Sequence, residues 1–388
     1  MASLSASAHA AGAATASCSL YASPSGSDST GNGSQTSPFQ TAQQLIDTLT
    51  PGQTGCLMAG TYNTSPGLRF NTGGTDSAPI TLASAPGQTA TLAGGDIYMP
   101  TGSDYVTLEN LHIDGSATTQ NSIQIFGSHD ALIGDNITNH SQHNSCIIMG
   151  FPGWTPYPTG TLIEDNVIHQ CGNTADGNKD HAIYFSQSIG ATVTNNIIWG
   201  TAAFALHIYP GAVNNTITHN VIDDNGYGVI FGGGAGPENT VSDGNTVAYN
   251  IIADSNTGYN VSSSGDASAT NNTFNHNCTY NSTSFHGDGE NIANSGGFTT
   301  AANISGSDAL FANESAHTAA GYELQPGSAC RSTVGYDTAA LLAGGPPHPV
   351  SARSSKKHTH VARAARLTKP HRLVHQHNRH RAGHRATR

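Results

Sequence analysis

Two short patterns of apolar and polar positions alternate between Thr161 and Gly234. In the first, a polar residue and an Asn precede two adjacent β-branched residues: Asp165-Asn166-Val167-Ile168, Asn195-Asn196-Ile197-Ile198 and His219-Asn220-Val221-Ile222. In the second, a small residue precedes an apolar–any–apolar triplet: Ala182-Ile183-Tyr184-Phe185, Ala205-Leu206-His207-Ile208 and Gly228-Val229-Ile230-Phe231. The Asn marks recur at Asn110, Asn136, Asn166, Asn196, Asn220, Asn250 and Asn272, spaced by 26, 30, 30, 24, 30 and 22 residues with a mean of 27. A period of this length marks a solenoid. Val and Ile pack well on pleated, half-buried surfaces, and no part of the repeat holds a sustained helical period. Coils of about three short strands are therefore predicted, with equivalent strands of successive coils pairing in parallel. Asn suits the tight turns because it tolerates the left-handed backbone region, and stacked Asn side chains are expected to form an amide ladder. The alternative, a β-sandwich with Asn-rich turns, has no reason to repeat at this period.

These units resemble the right-handed parallel β-helix of the pectate lyase-like superfamily, through repeats over roughly residues 100–285. The resemblance implies an all-β, single-stranded right-handed parallel β-helix with a short N-terminal capping α-helix. Both flanks support it. Tyr21 to Asp28 has the form Y-x-S-P-x-G-x-D, followed by Ser37-Pro38-Phe39 and Gly60-Thr61-Tyr62, and this combination is similar to the N-terminal module of many secreted β-helix proteins. Ser37 to Gln40 reads as a capping box with Pro at the first helical position. Phe39, Ala42, Leu45, Ile46 and Leu49 then fall on one face of a helix over about 38–49, which would cover the open end of the apolar core. Leu20 to Ala22 reads as a first strand, and coils are expected from about Ile80 to Phe285. Leu324 to Cys330 resembles the L-x-P-G-S-x-C ending of the same proteins.

Charge divides the chain further. The net charge is −11, yet from Pro346 onward there are 11 Lys or Arg and no acidic residue, leaving 3 basic and 25 acidic residues in the body. Such a body is a poor partner for nucleic acid. The chain is read as a leader or truncated signal segment at 1–17, a solenoid at 18–343 and a basic, His-rich disordered tail at 344–388. No apolar run approaches the roughly 20 residues of a membrane span. Six cysteines without a CxxC pair argue against zinc. Order along a solenoid favours near neighbours among the 15 pairings that six allow: Cys18–Cys56, Cys146–Cys171 and Cys278–Cys330. Disulfides imply an oxidising compartment, so a secreted monomer is expected.

Chemistry is expected on the solenoid surface. If Ile183 and Phe185 point inward, Tyr184 points out; if Leu206 and Ile208 point inward, His207 points out. Ile230, Ile148 and Gln124 take the same place in neighbouring coils, and Tyr184 and His207 should lie about 4.8 Å apart along the stack. Asp180 shares outward parity with Tyr184, and Tyr209 with His207. The longest inter-strand loop, Gly172 to Asp180, lies immediately before. Lys179 in that loop is the only lysine before residue 356, and the body's two arginines, Arg69 and Arg331, lie far away in sequence.

A polysaccharide lyase removes the proton α to a uronate carboxyl and needs a base and a cation. His207, on a rigid strand and with an ordinary pKa of about 6.5, is the expected base. Lys179 would offset the uronate charge and Tyr184 would protonate the leaving oxygen, with Asp180 and His181 beside them. Asp176, Asn178, Tyr209, Trp154 and Tyr157 are expected to hold a polysaccharide. Asp176 to Asp180 matches the start of a calcium loop, but His181 and Gln187 replace its Gly and Glu, which excludes an EF-hand. Asp176 and Asp180 could still hold Ca²⁺ in a looser site. Two alternatives stay open: a glycoside hydrolase using pairs among Asp176, Asp180, Asp223 and Asp224, and a non-catalytic carbohydrate-binding β-helix. The strongest resemblance is to secreted actinobacterial-type β-helix repeat proteins with an N-x-D-H-x-I-Y unit, here Asn178 to Tyr184.

Overall fold

Each coil contributes one strand to each of three parallel sheets. A computed structural model describes residues 17–331 except 233–240, 265–268, 270, 283–291 and 295. All of these lie in one compact unit, Met1–Val350; a second unit, Ser351–Arg388, falls outside the described residues. The leader up to residue 16 and the basic tail fall outside them too. Among the described residues, the first sheet runs in eleven strands from Leu20–Ala22 to Thr299–Ala301. The second runs in ten from Gly60–Asn63 to Ile304–Ser305, and the third in nine from Leu68–Arg69 to Ile292–Ala293. The stack thus begins well before Ile80 and continues past Phe285, which itself lies outside the described residues.

Inward side chains stack into one core. Val193, Ile217 and Val247 come from the first sheet, Ile168, Ile198 and Ile222 from the second, and Ile183, Phe185, Leu206 and Ile208 from the third. The helix is Ala42–Thr48, shorter than expected. Its N-cap is Thr41, whose hydroxyl accepts from Gln44 N at 3.1 Å. Ser37 instead pairs with Ser34, and Phe39 forms a parallel bridge with Ala22, so the chain stays extended to Gln40. Phe39, Ala42, Leu45, Ile46 and Leu49 are nonetheless buried together against the first coil.

The Asn repeat resolves into two ladders. Asn166 Nδ2 donates to Asn196 Oδ1 at 3.0 Å, Asn196 to Asn220 at 2.9 Å, Asn220 to Asn250 at 2.9 Å and Asn250 to Asn277 at 3.0 Å. Asn272 belongs to the other, after Asn215 and Asn245. Asn110 and Asn136 stand beside the ladder position, which Asp135 fills in that coil by donating its N–H to Asn166 Oδ1. The left-handed residue is not the ladder Asn but the one before it: Asp165 (φ 61°), Asn195 (φ 57°), His219 (φ 60°) and Tyr249 (φ 59°). The sharp corner and the hydrogen-bonded amide are thus adjacent residues with separate roles. Cys18–Cys56, Cys146–Cys171 and Cys278–Cys330 are bonded, each with Cα atoms 5.5 Å apart.

Candidate active site

The third sheet exposes one continuous outward row. Arg69, Tyr98, Gln124, Ile148, Tyr184, His207 and Ile230 are successive Cα partners from strand to strand. Arg69, remote in sequence, therefore shares a face with Tyr184.

Two loops that precede neighbouring strands of this sheet meet beside Tyr184. One carries His143 and leads to Ile147–Met149; the other, after Cys171, carries Asp176, Lys179 and Asp180 and leads to Ile183–Phe185. The Cys146–Cys171 disulfide ties their bases together. Asn173 caps a 3₁₀ turn, Thr174–Asp176, by accepting from Ala175 N, and its own N–H donates to Asp180 Oδ2 at 3.0 Å. Gly172 has φ 81°, and a Cβ there would collide with the Asp180 side chain. The loop consequently folds back over Asp180, which is buried despite its outward parity. Together these loops and the strand face enclose a cavity of about 410 Å³, lined by His143, Asp176, Lys179, Asp180, Tyr184 and Phe151 among others.

His143 Nδ1 hydrogen-bonds Asp176 Oδ2. That bond, and the aspartate's charge, push the imidazole above its ordinary pKa. Asp176 is held low by His143 first, and then by Asp180. Burial, and after it the neighbouring Asp176, push Asp180 up. The arrangement is a chain: Asp180, pushed up by burial, lies beside Asp176, held low, which in turn orients His143. His143 is not among the residues expected at the site. One signal was available, since its loop and the Asp176 loop each precede a third-sheet strand one coil apart.

Tyr184 and His207 are in register and their rings stack, with centroids 5.1 Å apart. Tyr209 stacks on the other part of His207 at 5.8 Å, and Phe204 lies 5.6 Å away. His207 Nδ1 is 2.9 Å from His181 Nε2. Burial lowers His207 to about 4, and lowers buried His181 well below its ordinary value, with His207 adding to the effect. His181 Nδ1 makes no hydrogen bond of good geometry, although the Phe204 carbonyl favours its charged form. The pair thus stays neutral near pH 7 and is engaged with itself. This arrangement suits a packed support for Tyr184 better than a base. Tyr184 is raised by burial, so its phenol keeps its proton.

Other expected residues spread out. Asn178 is exposed in the loop. Trp154 lies farther along the same face, in a second cavity with Arg69 and Tyr98. The Tyr157 hydroxyl accepts from Gly153 N at 3.4 Å, within the loop that presents Trp154. Asp223 is on the second sheet, buried against Tyr322. Asp224 follows it, lining a different groove with Asn256. Neither lines the cavity that holds Asp176 and Asp180. His143, Asp176 and Asp180 do place one ligand atom each within 4.8 Å of one another. Calcium, however, takes roughly six to eight oxygen ligands, and this set offers an imidazole already committed to Asp176 and a carboxyl already accepting from Asn173. The donor set does not fit Ca²⁺.

The description "Right handed beta helix region" belongs to a family model that matches residues 97–246. Among solved structures, pectate lyase Pel9A superposes with a TM-score of 0.58 at 16% identity, covering 80% of this chain and 90% of that one. The fold is a right-handed parallel β-helix. A second β-helix structure, XylC in complex with xylose, superposes with a TM-score of 0.55 at 14% identity, covering 75% of this chain and 70% of that one. A search of curated proteins finds no match. Among the described residues, no helix of this β-helix is long and apolar enough to cross a membrane.

Proposed function

We propose that this β-helix is an extracellular polysaccharide lyase that cleaves a uronate-containing polymer by β-elimination in the cavity between the His143 and Asp176 loops. The observation that carries this reading is the Asp180–Asp176–His143 chain beside Lys179 and Tyr184 in one open cavity. His143 Nε2, which makes no hydrogen bond among the described residues, takes the proton α to the carboxyl. Lys179 offsets the carboxylate charge as electron density moves onto it. The α–β double bond forms, the β-carbon–oxygen bond breaks, and Tyr184 gives its proton to the leaving oxygen. Solvent then restores Tyr184 and removes the proton from His143. Pectate lyase Pel9A and XylC, solved in complex with xylose, support a carbohydrate ligand for this fold. Three disulfides support an oxidising, extracellular setting.

The test is a panel of uronate polymers followed at the ultraviolet absorbance of unsaturated uronates. Because His143 must be neutral to act, activity should rise with pH through its raised pKa, above about 6.5. A second reading, sugar binding without catalysis, is favoured by the exposure of Trp154 (51%) and Phe151 (47%). Binding to a polymer with no unsaturated product at any pH would select it.

A further inference from the structure

We propose that the cavity around Arg69, Tyr98 and Trp154 is a second subsite, which takes a carboxylate-bearing sugar of the same polymer. The proposal rests on the reading of the third-sheet face as a polysaccharide groove. From Tyr184 the outward row runs through Ile148, Gln124 and Tyr98 to Arg69, four strand steps. At about 4.8 Å per step the two ends are separated by roughly 19 Å, a span for a chain of sugars and not for one.

The Arg69 end holds a cavity of about 530 Å³. Arg69 is exposed and forms no ion pair among the described residues. Its guanidinium lies 4.6 Å over the Tyr98 ring, which fixes its position while leaving its N–H groups unspent. Tyr98 packs on Phe126 at 5.5 Å, and Phe126 on Trp154 at 4.9 Å, so one aromatic run links the cation to the exposed Trp154. Asp96 is buried and accepts from Gln124 Nε2 at 2.7 Å, which turns the amide oxygen of Gln124 into an available acceptor for a sugar hydroxyl. An aromatic wall with a few placed polar groups is the make-up of a small-molecule site, and a free guanidinium selects a carboxylate.

Charge sharpens the argument. The body has three cationic side chains against 25 acidic ones. Arg331 is spent on the Leu324 carbonyl. The other two, Arg69 and Lys179, each line a cavity on this one face. In a body that otherwise repels anions, they mark two carboxylate positions along one polymer.

The experiment is calorimetric binding of hexasaccharides prepared from polygalacturonate and from alginate, of the same hexasaccharides with their carboxyls reduced, and of xylohexaose. It is run on the full chain and on Arg69→Gln, Trp154→Ala and Lys179→Ala, with thermal midpoints as the folding control. Arg69→Gln should weaken binding of an acidic hexasaccharide about tenfold, the scale of one charge-assisted hydrogen bond. It should have no effect on the reduced form, so the two losses are not additive. Trp154→Ala should weaken both forms. If Arg69→Gln binds the acidic hexasaccharides as the parent does while Lys179→Ala weakens them, the subsite is overturned and the groove stands. If the parent binds xylohexaose but no acidic oligomer, or binds nothing, both the subsite and the uronate reading are overturned.

Discussion

The outer faces of the second and third sheets are built on the same coils and have opposite fates. On the second sheet, Ile168, Ile198 and Ile222 point into the core, so the neighbouring Ile197, Val221, Ile251 and Cys278 point out. They are buried all the same, because the chain returns and lays Ala309, Phe311, Tyr322 and Leu324 over them, secured by Cys278–Cys330. On the third sheet the outward places hold Arg69, Tyr98, Gln124, Tyr184 and His207, with only Ile148 and Ile230 apolar among them, and the face is left as a groove. An apolar outer row gains by being covered; a row that is mostly polar and aromatic has more to offer a ligand. One residue per strand, repeated coil by coil, separates a docking face from a binding face.

The largest expected effect breaks the comparison on the open side. His143→Ala should lower β-elimination turnover by roughly 10² to 10⁴ with an unchanged thermal midpoint, since His143 is exposed. A loss of stability together with activity would show that the open face also carries structural load.

On the covered side the effect should fall on stability alone. Tyr322 donates to Asp223 Oδ2 at 2.8 Å, and its oxygen is 2.8 Å from His317 Nδ1. Tyr322→Phe leaves Asp223 without its donor and should cost about 1–3 kcal/mol, measured by denaturant unfolding, with turnover in the groove unaltered.

The same contact has a pH signature. Burial first, and then nearby Asp254, push Asp223 up to about 8 from an ordinary value of 3.8, against the favourable hydrogen bond from Tyr322. The folded state therefore holds a proton that the unfolded chain releases, and this group's contribution falls as pH rises from about 4 to about 8. Asp254, Glu314 and His317 face the same contact and are unchanged by a substitution at Asp223. Relative to the parent, Asp223→Asn should gain in thermal midpoint steadily over that window. Parallel curves for the two would place the proton elsewhere. Fluorescence of Trp199, stacked between His169 at 4.7 Å and His317 at 4.1 Å, reports whether the returning segment has lifted.

The smallest effect sharpens the assignment of the base. His207→Ala removes the ring stacked on Tyr184, a contact worth about 0.5–1.5 kcal/mol. Turnover should fall about tenfold or less. A fall comparable to that of His143→Ala would return the role of base to His207.

The 27-residue period and the alternation around each strand determined the solenoid, its three parallel sheets and the stacking of Tyr184 on His207, because strand parity and coil register follow directly from spacing. Coil order favoured all three disulfides; Cys18–Cys56 and Cys146–Cys171 join neighbouring coils, whereas Cys278–Cys330 is closed by the returning segment. The repeat marked the corners but assigned both corner roles to Asn; the left-handed residue before it varies from Asp165 to His219 and carries no common signature. Tertiary structure alone decided three things: that the His143 loop meets Asp176, that Arg69 stands on the groove, and that Asp223 is buried instead of lining a surface turn. Each depends on where a loop or a returning segment lies across a face. Periodicity sets which side chains leave the core, but the direction a loop takes once outside comes from local contacts such as Gly172 against Asp180. Whether an outward row is covered depends on a segment that lies beyond the repeat and is encoded elsewhere in the chain.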